Sequence, residues 1–208
     1  MADISWTWIG IRASGLTAWG LLTAVVLWGI LLRTRLLGRG ASPTRLLDLH
    51  RWLGIMALGF LALHMGLLLI DPYLPFTVGQ ILVPSLASWE PLAVALGILA
   101  FWLLMPVSVI GRLRPRMANA GAKLFRRSHW LAYAAWPVAT AHYVLAGTDA
   151  LSQWSEGLLI AGTALLVMGL LARGFVPAPG PTRAAGSVVI ATAAGPERTA
   201  RVPRPPVR

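Results

Sequence analysis

The chain contains no cysteine in its 208 residues. Disulfides, zinc–thiolate sites, iron–sulfur clusters and cysteine nucleophiles are therefore excluded. Charge is also scarce. Asp, Glu, Lys and Arg make up 12% of the residues, against about 25% in a soluble domain. Hydrophobic residues reach 57% and the mean hydropathy is +0.69. So little polar side chain cannot coat a water-soluble globule, which excludes an ordinary soluble enzyme. So much apolar side chain excludes a chain that is disordered throughout. Acidic residues are the rarer charges, 7 against 18 basic ones, for a net charge of +11. A basic excess can mark a nucleic-acid binder. Here the basic residues sit between apolar runs, which fits membrane topology and no nucleic-acid partner.

Charge-free stretches mark five spans. Arg12 and Arg33 bracket 20 uncharged residues, Arg51 and Asp71 bracket 19, and Glu90 and Arg112 bracket 21. Arg127 and Asp149 bracket another 21, and Glu156 and Arg173 bracket 16 with apolar flanks. A hydrocarbon core needs roughly 20 helical residues, so the expected fold is an all-α bundle of about five transmembrane helices. The first stretch lacks the basic start of a signal peptide and runs directly into an arginine cluster, so it is kept as a span. Pro72 to Trp89 is also uncharged, but Pro72, Pro75, Pro84 and Gly79 break it. Lipid cannot replace the backbone donors that proline removes, so this stretch is expected to be a surface loop, with room for a short helix lying on the membrane.

Five spans sort the charges. Arg33, Arg35, Arg39, Arg45, Arg51, the six cations from Arg112 to Arg127, and Arg173 with the tail arginines share one face. Arg12 alone joins Asp3, Asp71, Glu90, Asp149 and Glu156 on the other. The positive-inside rule then places the amino terminus outside and the carboxyl terminus in the cytoplasm. Trp6, Trp8, Trp89 and Trp154 fall at the outer ends, as interfacial aromatics do. The expected organisation is an outer amino-terminal segment (1–13), a membrane domain (14–174) and a Pro-, Ala- and Arg-rich cytoplasmic tail (175–208), disordered by composition.

The four histidines are concentrated on two spans. His50 and His64, fourteen apart, fall on the second span, and His129 and His142, thirteen apart, on the fourth. At 1.5 Å per residue the two members of each helix differ in depth by about 20 Å. Counted from Arg51 and Arg127, His50 is at −1 and His129 at +2, while His64 is at +13 and His142 at +15. Both helices run from cytoplasm to outside, so His50 shares a level with His129, and His64 with His142. Two imidazoles from neighbouring helices at one level are what a six-coordinate haem iron takes axially. The other account is that each histidine is hydrogen-bonded across a helix interface. Ionisable groups at membrane depth are costly and tend to be functional. Thirteen residues rotate a regular helix by about 220° overall, so His129 and His142 do not share a face, and a kink at Pro137 is one way to bring them together.

The run Leu49-His50-Arg51 followed by Leu63-His64, then Arg127-Ser128-His129-Trp130-Leu131-Ala132-Tyr133 and Ala141-His142, resembles the ferric-reductase-like transmembrane domain. That superfamily includes ferric reductases, NADPH oxidases and the haem subunit of the periplasmic methionine sulfoxide reductase. The resemblance covers about residues 12 to 172 and looks closest to short actinobacterial members. It implies a diheme cytochrome b of a bacterial inner membrane. His50 and His129 would ligate an inner b-type haem and His64 and His142 an outer one, both noncovalently. Arg51, Arg126 and Arg127 become partners for the inner propionates, although each also serves as a topology anchor. Tyr143, Gln153 and Tyr73 are donors for an outer haem that lacks nearby basic residues. Trp52, Trp130, Tyr133 and Trp136 either pack on macrocycles or on neighbouring helices, and Gly54, Gly59 and Gly66 leave room on the second span. Asp48 either orders the approach to His50 or caps the helix.

The implied function is an electron-transfer subunit of an oxidoreductase, with no catalytic residue of its own. Electrons would come from a cytoplasmic flavoprotein or from quinol, with FMN or quinone supplied by that partner. They would leave to an outer acceptor or partner reductase. A respiratory quinol-oxidising cytochrome b and a haem-free transporter or channel with proton-relay histidines are the alternatives. No Gly-rich phosphate loop for a dinucleotide follows Phe175.

Overall fold

The computed structural model describes residues 6–34, 42–117 and 119–175. The expected tail falls outside them except for Phe175, and so do residues 1–5 of the expected 1–13 segment. Among the described residues the chain is all helix and turn. The helices are α1 (Trp6–Thr34), α2 (Pro43–Ile70), α3 (Val78–Leu82), α4 (Pro91–Leu113), α5 (Asn119–Ser128), α6 (Trp130–Ala146) and α7 (Gln153–Phe175), with a 3-10 turn at Arg114–Arg116.

Proline sets several of these boundaries. Pro43 and Pro91 stand in the first turns of α2 and α4, where the missing N–H has no helical partner to lose. Proline also disfavours the right-handed helical region for the residue before it. Glu90, just before Pro91, lies at φ 40° and ψ 61°. Asp71 ends α2 in extended geometry ahead of Pro72. The proline-rich loop that follows holds the five-residue α3, started by a capping box in which Thr77 and Gln80 satisfy each other's backbone donors.

Four helices, α1, α2, α4 and α7, are long and apolar enough to cross a bilayer. The 17 residues of α6 fall at the short end of the spanning range, which completes the five expected spans. The protein is a multi-pass membrane protein. Its exposed surface agrees: Leu63, Trp102, Ile160 and Met168 are each about half exposed or more, a distribution suited to lipid rather than water. Helix α5 is instead amphipathic, with Lys123, Arg126 and Arg127 exposed.

Helix α1 is the hub. It packs against α2, α6 and α7, while α4 packs along α6. The core of Trp19, Leu22, Val26 and Ile30 from α1, Trp136 from α6 and Leu166 from α7 lies at its centre. A second, smaller cluster of Phe76, Ile81 and Ala87 seats the loop on Met65, Leu68 and Val94. Helix α2 has no buried residue. It lies along α1 and forms no comparable seam with α4 or α6. A gap therefore separates α2 from the α4–α6 pair.

One polar device joins α1 to α6 at mid-height. Trp19 Nε1 donates to Thr140 Oγ1 at 3.0 Å, and Trp136 Nε1 donates to Thr23 Oγ1 at 2.9 Å. Thr23 in turn donates to the Trp19 carbonyl and Thr140 to the Trp136 carbonyl, each at 2.9 Å. The same Trp-x-x-x-Thr spacing on both helices thus closes a reciprocal clasp. It satisfies two indole donors that would otherwise be buried without partners.

Candidate functional site

The histidines of α2 and α6 meet across the gap. The rings of His50 and His129 have centroids 6.1 Å apart, and those of His64 and His142 are 6.3 Å apart. The amino-terminal members face each other and so do the carboxyl-terminal ones, which makes α2 and α6 parallel. The 100°-per-residue count that separates His129 from His142 assumes one regular helix. His129 instead precedes α6, at the turn where α5 ends, and α6 runs through Pro137 as one helix. The interruption falls at the first ligand candidate rather than at the proline.

The separations can be compared with a known bond length. An imidazole nitrogen lies about 2.0 Å from a bound metal. Adding a ring radius of roughly 1.1 Å on each side places the centroids of two trans imidazoles about 6.2 Å apart. Both pairs match this spacing. Among the described residues no cluster of three or more His, Asp or Glu forms a metal site. Two protein ligands per level suit a metal whose remaining ligands come from a macrocycle.

The other ring nitrogens distinguish the levels. His64 Nδ1 lies 2.8 Å from the Ile11 carbonyl of α1, and His142 Nδ1 lies 2.7 Å from the Ala93 carbonyl of α4. A carbonyl can only accept, so in each case Nδ1 carries the proton and Nε2 of the neutral ring keeps its lone pair. This is the arrangement of a metal-ligating imidazole held by an outer partner. At the other level, Nδ1 of His50 and Nδ1 of His129 are buried without a hydrogen bond. His50 faces the Val25 carbonyl of α1, and the His129 ring lies 5.0 Å from Phe125.

A cavity of about 540 Å³ opens beside His64 and His142, between apolar walls that include Leu16, Leu61, Leu68 and Leu104. That volume is in the range of small-molecule and cofactor sites, roughly 300–1,000 Å³. Its polar rim holds Arg12, Asp71 and Asp149, with Trp8, Trp89 and Trp154. Arg12 forms an ion pair with Asp149 and lies over the Trp8 ring. Asp71 is buried and accepts from Thr7 Oγ1 at 2.6 Å and from the Leu74 amide at 2.9 Å.

The sequence profile described as ferric reductase like transmembrane component matches residues 14–140. The chain belongs to this family. Domains of the family generally bind haem, and the coarse function of this ferric reductase-like chain is transmembrane electron transfer. The match includes His50, His64 and His129 and ends two residues before His142. No curated protein and no solved structure matches the chain.

The remaining residues of this ferric reductase-like domain divide as follows. Arg51, Arg126 and Arg127 are exposed at the arginine-rich end, and Arg51 bonds Asp48 at 3.1 Å. Ser42, not Asp48, occupies the N-cap position of α2. At the other level the expected lack of a basic residue is corrected by Arg12, which reaches the cavity because it follows Ile11, the residue whose carbonyl holds His64. Among the expected outer donors, Tyr143 hydroxyl is bonded to Ser155 at 2.6 Å, while Tyr73 and Gln153 are exposed. Trp136 belongs to the clasp with α1. Trp130 and Tyr133 lie under the Arg173 guanidinium. A side chain at Gly54, Gly59 or Gly66 would meet nothing within 4 Å. The glycines that do approach the histidines, Gly15, Gly29 and Gly97, lie on α1 and α4. They had no signal in single-helix periodicity, because their partners are on other helices.

Proposed function

We propose that this ferric reductase-like chain is a b-type diheme electron-transfer subunit. It would carry electrons between a donor at the arginine-rich, cytoplasmic end and an acceptor at the opposite, outer end. The observation that supports this best is the pair of imidazole–imidazole separations, 6.1 and 6.3 Å. Bound haem supplies a one-electron couple at each level. The chain's own residues supply the rest. His50 with His129, and His64 with His142, would hold the haems through their imidazole nitrogens. Ile11 and Ala93 hold two of those rings by their Nδ1 protons. The leucine walls exclude water and lower the local dielectric, which tunes the couple.

Arg51, Arg126 and Arg127 are positioned to pair with carboxylates at the arginine-rich level, and Arg12 at the other. A cytoplasmic flavoprotein or quinol is the proposed donor, and an outer acceptor or partner reductase receives the electron. The test is the optical spectrum of the purified full chain together with a pyridine haemochrome assay. The expected result is a reduced b-type α-band and about two haems per chain, extractable into acid acetone because no Cys can form a thioether link. A stoichiometry near zero would refute it and favour a haem-free transporter with proton-relay histidines. Haem that resists extraction would refute noncovalent binding.

A further inference from the structure

The two hydrogen-bonded histidines share a detail of their neighbouring helices. The carbonyl that meets His64 belongs to Ile11, and Gly15 follows four residues later. The carbonyl that meets His142 belongs to Ala93, and Gly97 follows four residues later. In an α-helix the carbonyl of residue i already accepts from the amide of residue i+4. The side chain at i+4 therefore stands beside that carbonyl and limits access to its second lone pair. A Cβ at position 15 would lie 3.0 Å from His64 Nδ1 and 3.1 Å from Cε1. A Cβ at position 97 would lie 2.8 Å from both atoms of His142. The His142 ring would have to shift, and the His64 ring would have to give by a few tenths of an ångström, each away from the carbonyl it bonds.

The pattern recurs fourteen residues further along both helices. Val25 and Gly29 on α1 face His50, where a Cβ would lie at an ordinary 3.4 Å from Cε1. On α4, Val107 and Gly111 occupy the matching positions, where a Cβ would meet Phe125 at 3.5 Å. Fourteen residues bring an α-helix back to within about 40° of its starting face. The tight form of the device is thus confined to the His64–His142 level. At the other level it is relaxed: His50 faces the Val25 carbonyl without a short hydrogen bond, and His129 Nδ1 has none.

We propose that Gly15 and Gly97 are positioning residues for the His64–His142 pair. Each clears the space in which an imidazole donates Nδ1–H to the carbonyl one turn earlier, which fixes the tautomer and leaves Nε2 as the ligating atom. This rests on the haem reading for its purpose, but the tautomer is a property of the protein alone.

The test uses the full chain in mild detergent with Gly15→Ala and Gly97→Ala. Gly59→Ala, Gly66→Ala and Gly157→Ala serve as controls at positions with open space. Low-spin electron paramagnetic resonance and haem content should show each test variant losing or shifting one of two haem signals while the other stays native. The three controls should match wild type. Nitrogen-15 histidine spectra, assigned with His64→Asn and His142→Asn, should show Nδ1-protonated rings in wild type. Gly15→Ala and Gly97→Ala should each change the signals of His64 and His142, which share one haem, and leave those of His50 and His129 as in wild type.

Unchanged haem and histidine signals in both test variants would overturn the proposal while leaving the haem reading intact. Loss of both haems together with helical circular dichroism would also overturn it, by showing a folding role. A wild-type protein without haem would refute the haem reading. The nitrogen-15 spectra would still decide the glycine proposal in that case.

Discussion

Replacing Thr23 by Val removes one hydroxyl from the α1–α6 clasp at nearly constant shape. Thr23 and Trp136 are 7% and 6% exposed, so the Trp136 indole N–H loses its 2.9 Å acceptor in an apolar interior. The Trp19 carbonyl also loses the threonine bond, but it retains its helical partner, so this loss is minor. Leaving a buried donor unsatisfied costs about 1–3 kcal/mol in a water-soluble protein. In a membrane the unfolded reference state is also poor in water, and interhelical hydrogen bonds average about 0.6 kcal/mol with a maximum near 1.7. The lower range applies here, because the competing state is a separated helix in detergent or lipid.

Thr23→Val is therefore expected to destabilise the bundle by about 0.6–1.7 kcal/mol, and so is Thr140→Val. The two bonds share no atom but close one helix crossing. Once one is lost, α1 and α6 are held less closely and the second is worth less. The double variant should thus cost less than the sum of the singles, with a coupling of about 0.5 kcal/mol or more. Reversible unfolding in mixed detergent micelles, followed by far-ultraviolet circular dichroism, measures all four corners of the cycle. Single variants indistinguishable from wild type would refute the reasoning, since the indoles would then find other partners. Strict additivity would refute the clasp as a unit.

Two further outcomes follow from the geometry. Each single His→Ala change should cost about half of the low-spin haem signal. His64→Ala with His142→Ala should cost little more than either alone, whereas His64→Ala with His129→Ala should remove nearly all of it. The reverse result would refute the pairing seen at 6.1 and 6.3 Å. A reporter active only in the cytoplasm, fused after Arg208, should be active if the arginine-rich end faces inward, and activity of a periplasm-only reporter there would overturn that orientation.

The sequence by itself determined the solvent. Low charge and long apolar runs leave no soluble alternative, and the apolar runs became α1, α2, α4, α6 and α7. It also determined the interruptions, because proline's missing donor and its effect on the preceding residue act locally: Pro72 to Trp89 became a loop with one short helix. Depth was legible too, since rise per residue is a property of a single helix. Counting from Arg51 and Arg127 brought His50 level with His129 and His64 level with His142.

Rotation and neighbourhood were decided only by the tertiary structure. His129 stands at the junction of α5 and α6, where the Ala132 amide bonds the His129 carbonyl at 3.2 Å, a tightened turn that no periodicity count registers. Gly15 and Gly97 matter through contacts with rings on other helices, 49 and 45 residues away in sequence. Trp136 read as packing on a macrocycle or on a neighbouring helix until the structure paired it with Thr23 of α1, 113 residues away. Arg12 read as a lone charge on the far face, and the fold brought it to the cavity of His64 and His142. In each case the free energy lies in an interaction between elements. A one-dimensional pattern records which face of a helix is apolar, but not which neighbour that face will meet.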